Sequence, residues 1–241
     1  DEKVASKVQM TAENQENWLI KYYDVKGNFN EYIYDIIPKF KKAIAIRTIL
    51  KSKSELNINE EKISLMMGKN CHIVIYPINK NKQLNLVCII RDKKYDPDKI
   101  KLLIEKVNIQ NPYFEKVFKD DLKSWPLYFT PQILPSTNNK VFYIGDAFNG
   151  FLPTLAQGAG QSIESAFELF SLIKEDKPDI HRVYFQERLK RAKIVRKRSN
   201  INFYAFHFSS VVMQAIRNFF MKFLIRRKRF INSYLGTVYK S

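Results

Sequence analysis

VFYIGDAFNGFLPTLAQGAGQSIESAFELF, residues 141–170, decides how this chain is read. Four of the protein's seven glycines, Gly145, Gly150, Gly158 and Gly160, fall within it. The apolar run 140–144 reads as a buried strand that ends at Gly145-Asp146. A glycine at that end lets another group approach the backbone closely. The Asp146 carboxylate then lies at the carboxyl end of a strand, where α/β sheets bind ligands, and can accept hydrogen bonds from sugar-like hydroxyls. A loop stiffened by Pro153 follows. Gln157-Gly158-Ala159-Gly160 leads into a helix expected from about Gly158 to Lys174, with Ile163, Ala166, Phe167 and Phe170 recurring at three- and four-residue steps. The first N–H groups of a helix have no internal partner, and with the helix dipole they favour negative charge. The unit therefore offers a hydroxyl acceptor and an anion-stabilising pocket. Taken singly, each feature has a plainer reading: Gly-Asp ends many strands, and glycines at a helix start also permit close packing.

Outward from this stretch the texture changes twice. Residues 43–50 and 62–68 are strand candidates, and 72–78 and 83–90 read as an antiparallel hairpin joined by the polar turn NKNK. Residues 95–107 predict a helix with Asp96 or Asp98 as cap and Pro97 in the first turn. The first forty residues read as part helix and part loop. Residues 125–134, interrupted by two prolines, read as an extended connector. From Pro178 onward the pattern is helical, with a break near residues 208–210. VVMQAIRNFFMKFLI, 211–225, contains Arg217 and Lys222 and is no membrane span. It could lie on a membrane surface with Arg226–Arg229 toward lipid phosphates. Packing against the protein's own body is the commoner fate of such a helix.

A length of 241 residues buries a real core, and 45% hydrophobic residues exclude a disordered chain. Cys71 and Cys88 sit in apolar runs, which suggests reduced thiols in a cytosolic protein rather than a disulfide framework. No metal-ligand spacing appears. The net charge of +17 favours anionic surroundings, with basic patches at 188–198 and 225–230 that read first as solvated helical faces. No nucleic-acid-binding pattern accompanies that charge, and no nucleic-acid partner is expected.

GDAFNGFLPTLAQGAGQSIESA resembles the second flavin-contacting motif of the class A FAD-dependent aromatic hydroxylases, with the p-hydroxybenzoate hydroxylase fold, and looks most like the salicylate hydroxylase branch. Residues 68–91 are similar to the hairpin of that family's substrate domain, AIAIR to the preceding strand with its arginine, and 196–224 to the helical end of the salicylate branch. EKVASKVQ, 2–9, looks like the tail of the family's Asp-Gly motif. The resemblance implies an α/β fold with an α+β substrate lobe that lacks the N-terminal Rossmann βαβ unit. It implies cofactor contacts from Gly145, Asp146, Pro153 and the backbone of Gln157, Gly158, Ala159 and Gly160. It also implies FAD as cofactor, NADH or NADPH as co-substrate, O₂, a small aromatic substrate, and hydroxylation through a flavin C4a-hydroperoxide.

Residues 1–37 are then expected to be a remnant of the FAD domain and a connector, and 38–135 an antiparallel-sheet substrate domain. Residues 136–175 would return to the FAD domain, and 176–241 would form a basic helical region. No G-x-G-x-x-G unit is present, so an N-terminally truncated fragment is expected. Glu2-Lys3 stands where the family has Asp-Gly, Gln9 where it has arginine, and Asn149 where many members carry histidine. Asparagine cannot act as a general base at neutral pH. The substrate-side candidates are Tyr76, Asn149 and Pro153. His72, Tyr76 and Asn149 are catalytic candidates, although a strand histidine or tyrosine is more often core. His207 reads as structural. Two other readings stay open: a non-catalytic remnant of such an enzyme, and a basic protein that binds lipid or nucleic acid. A cytoplasmic protein with peripheral membrane contact through the basic C-terminal helix is compatible with the composition.

Overall fold

A computed structural model of the chain describes residues 8–14, 17–23, 29–34, 38–50, 61–80, 83–110, 118, 122–131, 133, 141–234 and 236. Glu2-Lys3 and Lys140 lie outside them. The chain divides into two compact units.

The first unit comprises Asp1–Lys39, Tyr128–Phe151 and Gln157–Leu189. It opens with β1 (Val8–Asn14), β2 (Asn17–Tyr23) and β3 (Phe29–Tyr34), an antiparallel meander in that order. Val8 pairs with Tyr22, and Trp18 with Tyr34. These strands replace the helix and loop expected for the first forty residues. Lys, Glu and Asn interleave the apolar positions and blur the local signal, and the antiparallel register carries what the local pattern hides.

The second unit comprises Phe40–Leu127, Leu152–Ala156 and Lys190–Ser241. Its five-stranded sheet takes β4 (Lys39–Leu50), β5 (Ser64–Met67), β6 (Cys71–Ile78), β7 (Gln83–Arg91) and, after α1 (Ile100–Gln110), β8 (Lys123–Phe129). The strand order is β5-β6-β7-β4-β8. The hairpin β6–β7 pairs Tyr76 with Asn85 and His72 with Ile89, as the apolar runs and polar turn predict. Strand β8 corrects the expected connector: Pro126 has no N–H to donate, and a sheet edge is where a strand tolerates that.

One face of this sheet is a closed apolar core. Ile44, Ile46, Ile75, Leu84, Leu86 and Cys88 are at most 1% exposed, and α1 lays Ile100, Leu103 and Ile104 over them. Each such side chain contributes roughly 1.5–3 kcal/mol by leaving water. Asp96 starts the turn into α1 by accepting a hydrogen bond from the Asp98 N–H, with Pro97 in the first turn.

The chain ends in helices: α2 (Gly158–Lys174), α3 (Ile180–Phe206), α4 (Val211–Leu224) and α5 (Lys228–Tyr234). The break between α3 and α4 falls at residues 207–210, where the sequence breaks its helical pattern. Tyr234 donates to Asn202 Oδ1 at 2.7 Å, tying α5 to α3. Among the described residues no helix is long and apolar enough to cross a membrane.

Candidate functional site

Residues 141–144 are not the buried strand expected. They are extended, with Ile144 at φ −123° and ψ 144°, but they join no ladder among the described residues, and Ile144 is 38% exposed. What holds the segment is a side chain: the Tyr184 hydroxyl donates to the Tyr143 carbonyl at 2.8 Å. Burial pushes the Tyr184 pKa up to about 12, so the phenol stays a donor.

Gly145 turns the backbone at φ +60°. The N–H groups of Phe148 and Asn149 both donate to its carbonyl at 3.0 Å. Its own N–H donates to Ser165 Oγ, 3.2 Å away on α2. A Cβ at Gly145 would run into Ser162 Oγ. The glycine is therefore demanded twice, by dihedral and by the approach of α2. The turn leaves Asp146 exposed. Partial desolvation of its carboxyl raises its pKa above the ordinary carboxylate value. Phe148 and Asn149 point inward and are buried.

Helix α2 begins at Gly158, as the sequence predicts, but its burial is inverted. Ile163, Phe167 and Phe170 are 72%, 69% and 60% exposed, while Gln161 and Ser165 are buried. The buried side is polar because Arg188 of α3 reaches it. Its Nη1 donates to Glu164 and Glu168 at 3.2 and 2.9 Å, and its Nη2 to Gln161 Oε1 at 2.8 Å. Arg188 belongs to a basic patch that reads as solvated, yet it is 3% exposed. At the N-terminus, Gln157 makes no side-chain cap, and its own side chain is buried. Among the described residues a Cβ on Gly158 would meet nothing within 4 Å, and one on Gly160 only Gln157 Oε1 at 3.8 Å. These glycines hold space open beside uncapped N–H groups, rather than accommodating a packed neighbour. Ala159 and Gly160 are exposed.

Pro153 lies in the second unit, exposed, at the start of a short turn that ends at Ala156 in the left-handed region, φ 52°. Thr154 anchors this turn to α3: its hydroxyl donates to Ser199 O at 2.6 Å, and its carbonyl accepts from Asn202 Nδ2 at 3.1 Å.

The second face of the five-stranded sheet differs from the apolar one. Directly paired residues share a face, so Tyr76, Asn85 and Ile49 lie together, as do Val74, Val87 and Arg47, and His72, Ile89 and Ala45. The exposed Arg47 donates from Nε to Asn85 Oδ1, and the buried Asn85 Nδ2 has no partner among the described residues. The sequence pattern does not single out Asn85; only the parity of the pairing puts it beside Tyr76 and Arg47. At the other end of this face His72 is buried. His72 Nδ1 lies 3.0 Å from His207 Nε2, and His207 Nδ1 bonds the Phe203 carbonyl. With Nδ1–H donated to that carbonyl, His207 Nε2 accepts from His72. Burial, and then the neighbouring His207, lower His72 to about 3; burial lowers His207 to about 4 against the Phe203 and Ile89 carbonyls, which raise it.

The donors and acceptors around Gly145–Gly160 fit a flavin dinucleotide. Asp146 presents an exposed carboxylate of the kind that accepts from hydroxyls, and the head of α2, with no side-chain cap from Gln157, suits an electron-rich edge.

No protein-family profile matches this sequence. Over 146 residues it is 30% identical to the FAD-dependent monooxygenase cfoG of Aspergillus candidus, covering 54% of this chain and 33% of that protein. Over 168 residues it is 24% identical to 3-amino-4-hydroxybenzoate 2-monooxygenase PtnB3 of Streptomyces platensis, covering 65% and 42%. The chain thus spans between a third and about two fifths of these curated relatives. Among solved structures, Klebsiella pneumoniae HpxO complexed with FAD and uric acid superposes with a TM-score of 0.73 at 11% identity, over 98% of this chain and 66% of that one. A salicylate hydroxylase substrate complex gives 0.62 at 16% identity, over 98% and 70%. With sequence identity this low and overlap this broad, what is shared is architecture: this chain has the fold of the class A FAD-dependent aromatic monooxygenases.

Proposed function

We propose that the protein is part or all of an FAD-dependent monooxygenase that uses NADH or NADPH and O₂ to hydroxylate a small aromatic compound. The observation that carries this reading is the pairing of an exposed Asp146 carboxylate with the open head of α2 across the Gly145–Ser162 contact. FAD, when bound, supplies the hydride acceptance and oxygen activation that no side chain offers. The protein's part is to hold and tune. Asp146 would accept from hydroxyls of the ribityl chain. The N–H groups at Gln157–Gly160 would favour charge on the reduced ring.

On the substrate side, Arg47, Asn85 and Tyr76 lie together on one face of the sheet. An exposed guanidinium beside a buried amide whose Nδ2 has no partner among the described residues suits an acidic or carbonyl-bearing ring. Relatives that act on or bind 3-amino-4-hydroxybenzoate, uric acid and salicylate fit that chemistry. Asn149 is buried and is no general base, so substrate deprotonation is not assigned to it.

The test is flavin retention on the chain, and on any longer product of its reading frame. Asp146→Ala is expected to weaken FAD binding about 10- to 100-fold, the loss of charge-assisted hydrogen bonds, with little change in melting. Unchanged flavin occupancy in that variant sinks the assignment. Flavin retained without any NADH or NADPH oxidation in the presence of aromatic acids would leave a binding remnant rather than an enzyme.

A further inference from the structure

We propose that α4 and the basic run after it dock this protein onto an anionic lipid surface. Val212, Ile216, Phe219, Phe220 and Phe223 recur at helical spacing and form one face of α4, and they are 66%, 44%, 72%, 53% and 50% exposed. The residue turned inward is Arg217, 6% exposed, whose Nη1 donates to the Ala205 carbonyl of α3 at 3.1 Å. Gln214 likewise donates to the Phe208 carbonyl at 2.9 Å. The helix is therefore held to the second unit by its polar side and offers its aromatics to the surroundings. That is the reverse of the packed arrangement its sequence suggests.

The charge beside this face selects what covers it. From Arg188 to Ser241 there are fourteen Lys and Arg and no Asp or Glu. The preceding 187 residues carry twenty-seven basic against twenty-four acidic side chains, so nearly all of the +17 lies in this last part. Lys222, Arg226, Arg227, Lys228 and Arg229 are exposed at the end of α4 and the start of α5. Arg227 sits over the Phe223 ring at 4.1 Å, so the cationic and aromatic surfaces are continuous.

An interfacial helix buries its apolar face in the headgroup boundary while adjacent cations meet lipid phosphates. Nucleic acid would satisfy the cations but would leave Val212 and Ile216 in water. A second copy of this chain would bring the same uncompensated cations together. An anionic bilayer satisfies both halves of the surface.

Flotation of the purified chain with vesicles of about 30% phosphatidylglycerol in phosphatidylcholine tests this, with pure phosphatidylcholine as control. The chain is expected to float with the anionic vesicles and to bind the neutral ones at least about tenfold more weakly. The triple replacement F219S/F220S/F223S, at exposed positions that leave the fold intact by circular dichroism, is expected to lower binding by about tenfold or more. R226Q/R227Q/K228Q/R229Q should lower it on anionic vesicles alone. Wild-type protein that stays soluble beside anionic vesicles overturns the proposal, as does binding that survives the triple phenylalanine replacement. So does a dimer in light scattering that the same replacement dissociates, or RNA binding that it abolishes.

Discussion

The sheet face under α1 and the turn where Gly145 meets α2 solve the same problem, closing one element on another, by different means. Under α1 the contact is made mainly by Ile, Leu and Cys side chains, with the buried Thr48 brought among them by its pairing with Leu86. At Gly145 it is made by a missing side chain and by serine hydroxyls that donate on: Ser162 to Gly158 O at 3.0 Å, and Ser165 to Ser162 O at 2.9 Å. The first arrangement is forgiving of sequence and strict about volume. The second is strict about backbone and leaves the nearby carboxylate and N–H groups facing outward. A core stabilises by hiding surface, whereas a binding turn is rigid while still showing polar groups.

The contrast breaks most visibly in the core. Leu86→Ala should cost about 2–5 kcal/mol in denaturant unfolding, because a fully buried side chain leaves a cavity. A loss under about 1 kcal/mol would mean that the face is not close-packed.

Next in size is the His72–His207 pair. The ordinary value is 6.5, and the fold holds the rings near 3 and 4. The unfolded chain takes up protons below about pH 6.5 that the fold refuses. Stability is therefore full above that pH and is lost as pH falls through it toward the folded values near 4 and 3. His207→Gln should flatten this slope. An identical slope in the variant would show that the pair is not the group responsible.

Gly145→Ala should cost about 2 kcal/mol, from the left-handed dihedral and the collision with Ser162. Unlike Leu86→Ala, it should weaken flavin binding beyond its effect on melting, because it moves Asp146. The smallest effect is expected at Phe167→Ser, within about 0.5 kcal/mol at an exposed position. A larger loss there would show that something covers the outer face of α2.

Much of this was legible in the sequence, and the failures have one cause. The hairpin β6–β7 and the bounds of α2 are local: β-branched runs with a polar turn, and glycines before a 3.6-residue period, determine them without help. Strand β8 and the β1–β3 meander depend on partners. Two prolines and interleaved charges disguise strands whose evidence is the neighbour they pair with. Direction of burial failed for the same reason. The period of α2 and α4 marks an apolar face on each, but Arg188 and Arg217, by finding acceptors, decide which side turns inward. Arg47 stands out as a residue in a strand, whereas its partnership with Asn85 exists only through register.

The double attachment of Thr154 has a practical corollary for building chimaeras. Because the proline turn hangs from Ser199 and Asn202, a loop transplanted from a relative inherits its seat from the recipient's α3. Residues 152–156 and 199–202 therefore form one exchangeable cassette. Moving residues 152–156 alone would deliver the right sequence to a mooring that no longer fits it.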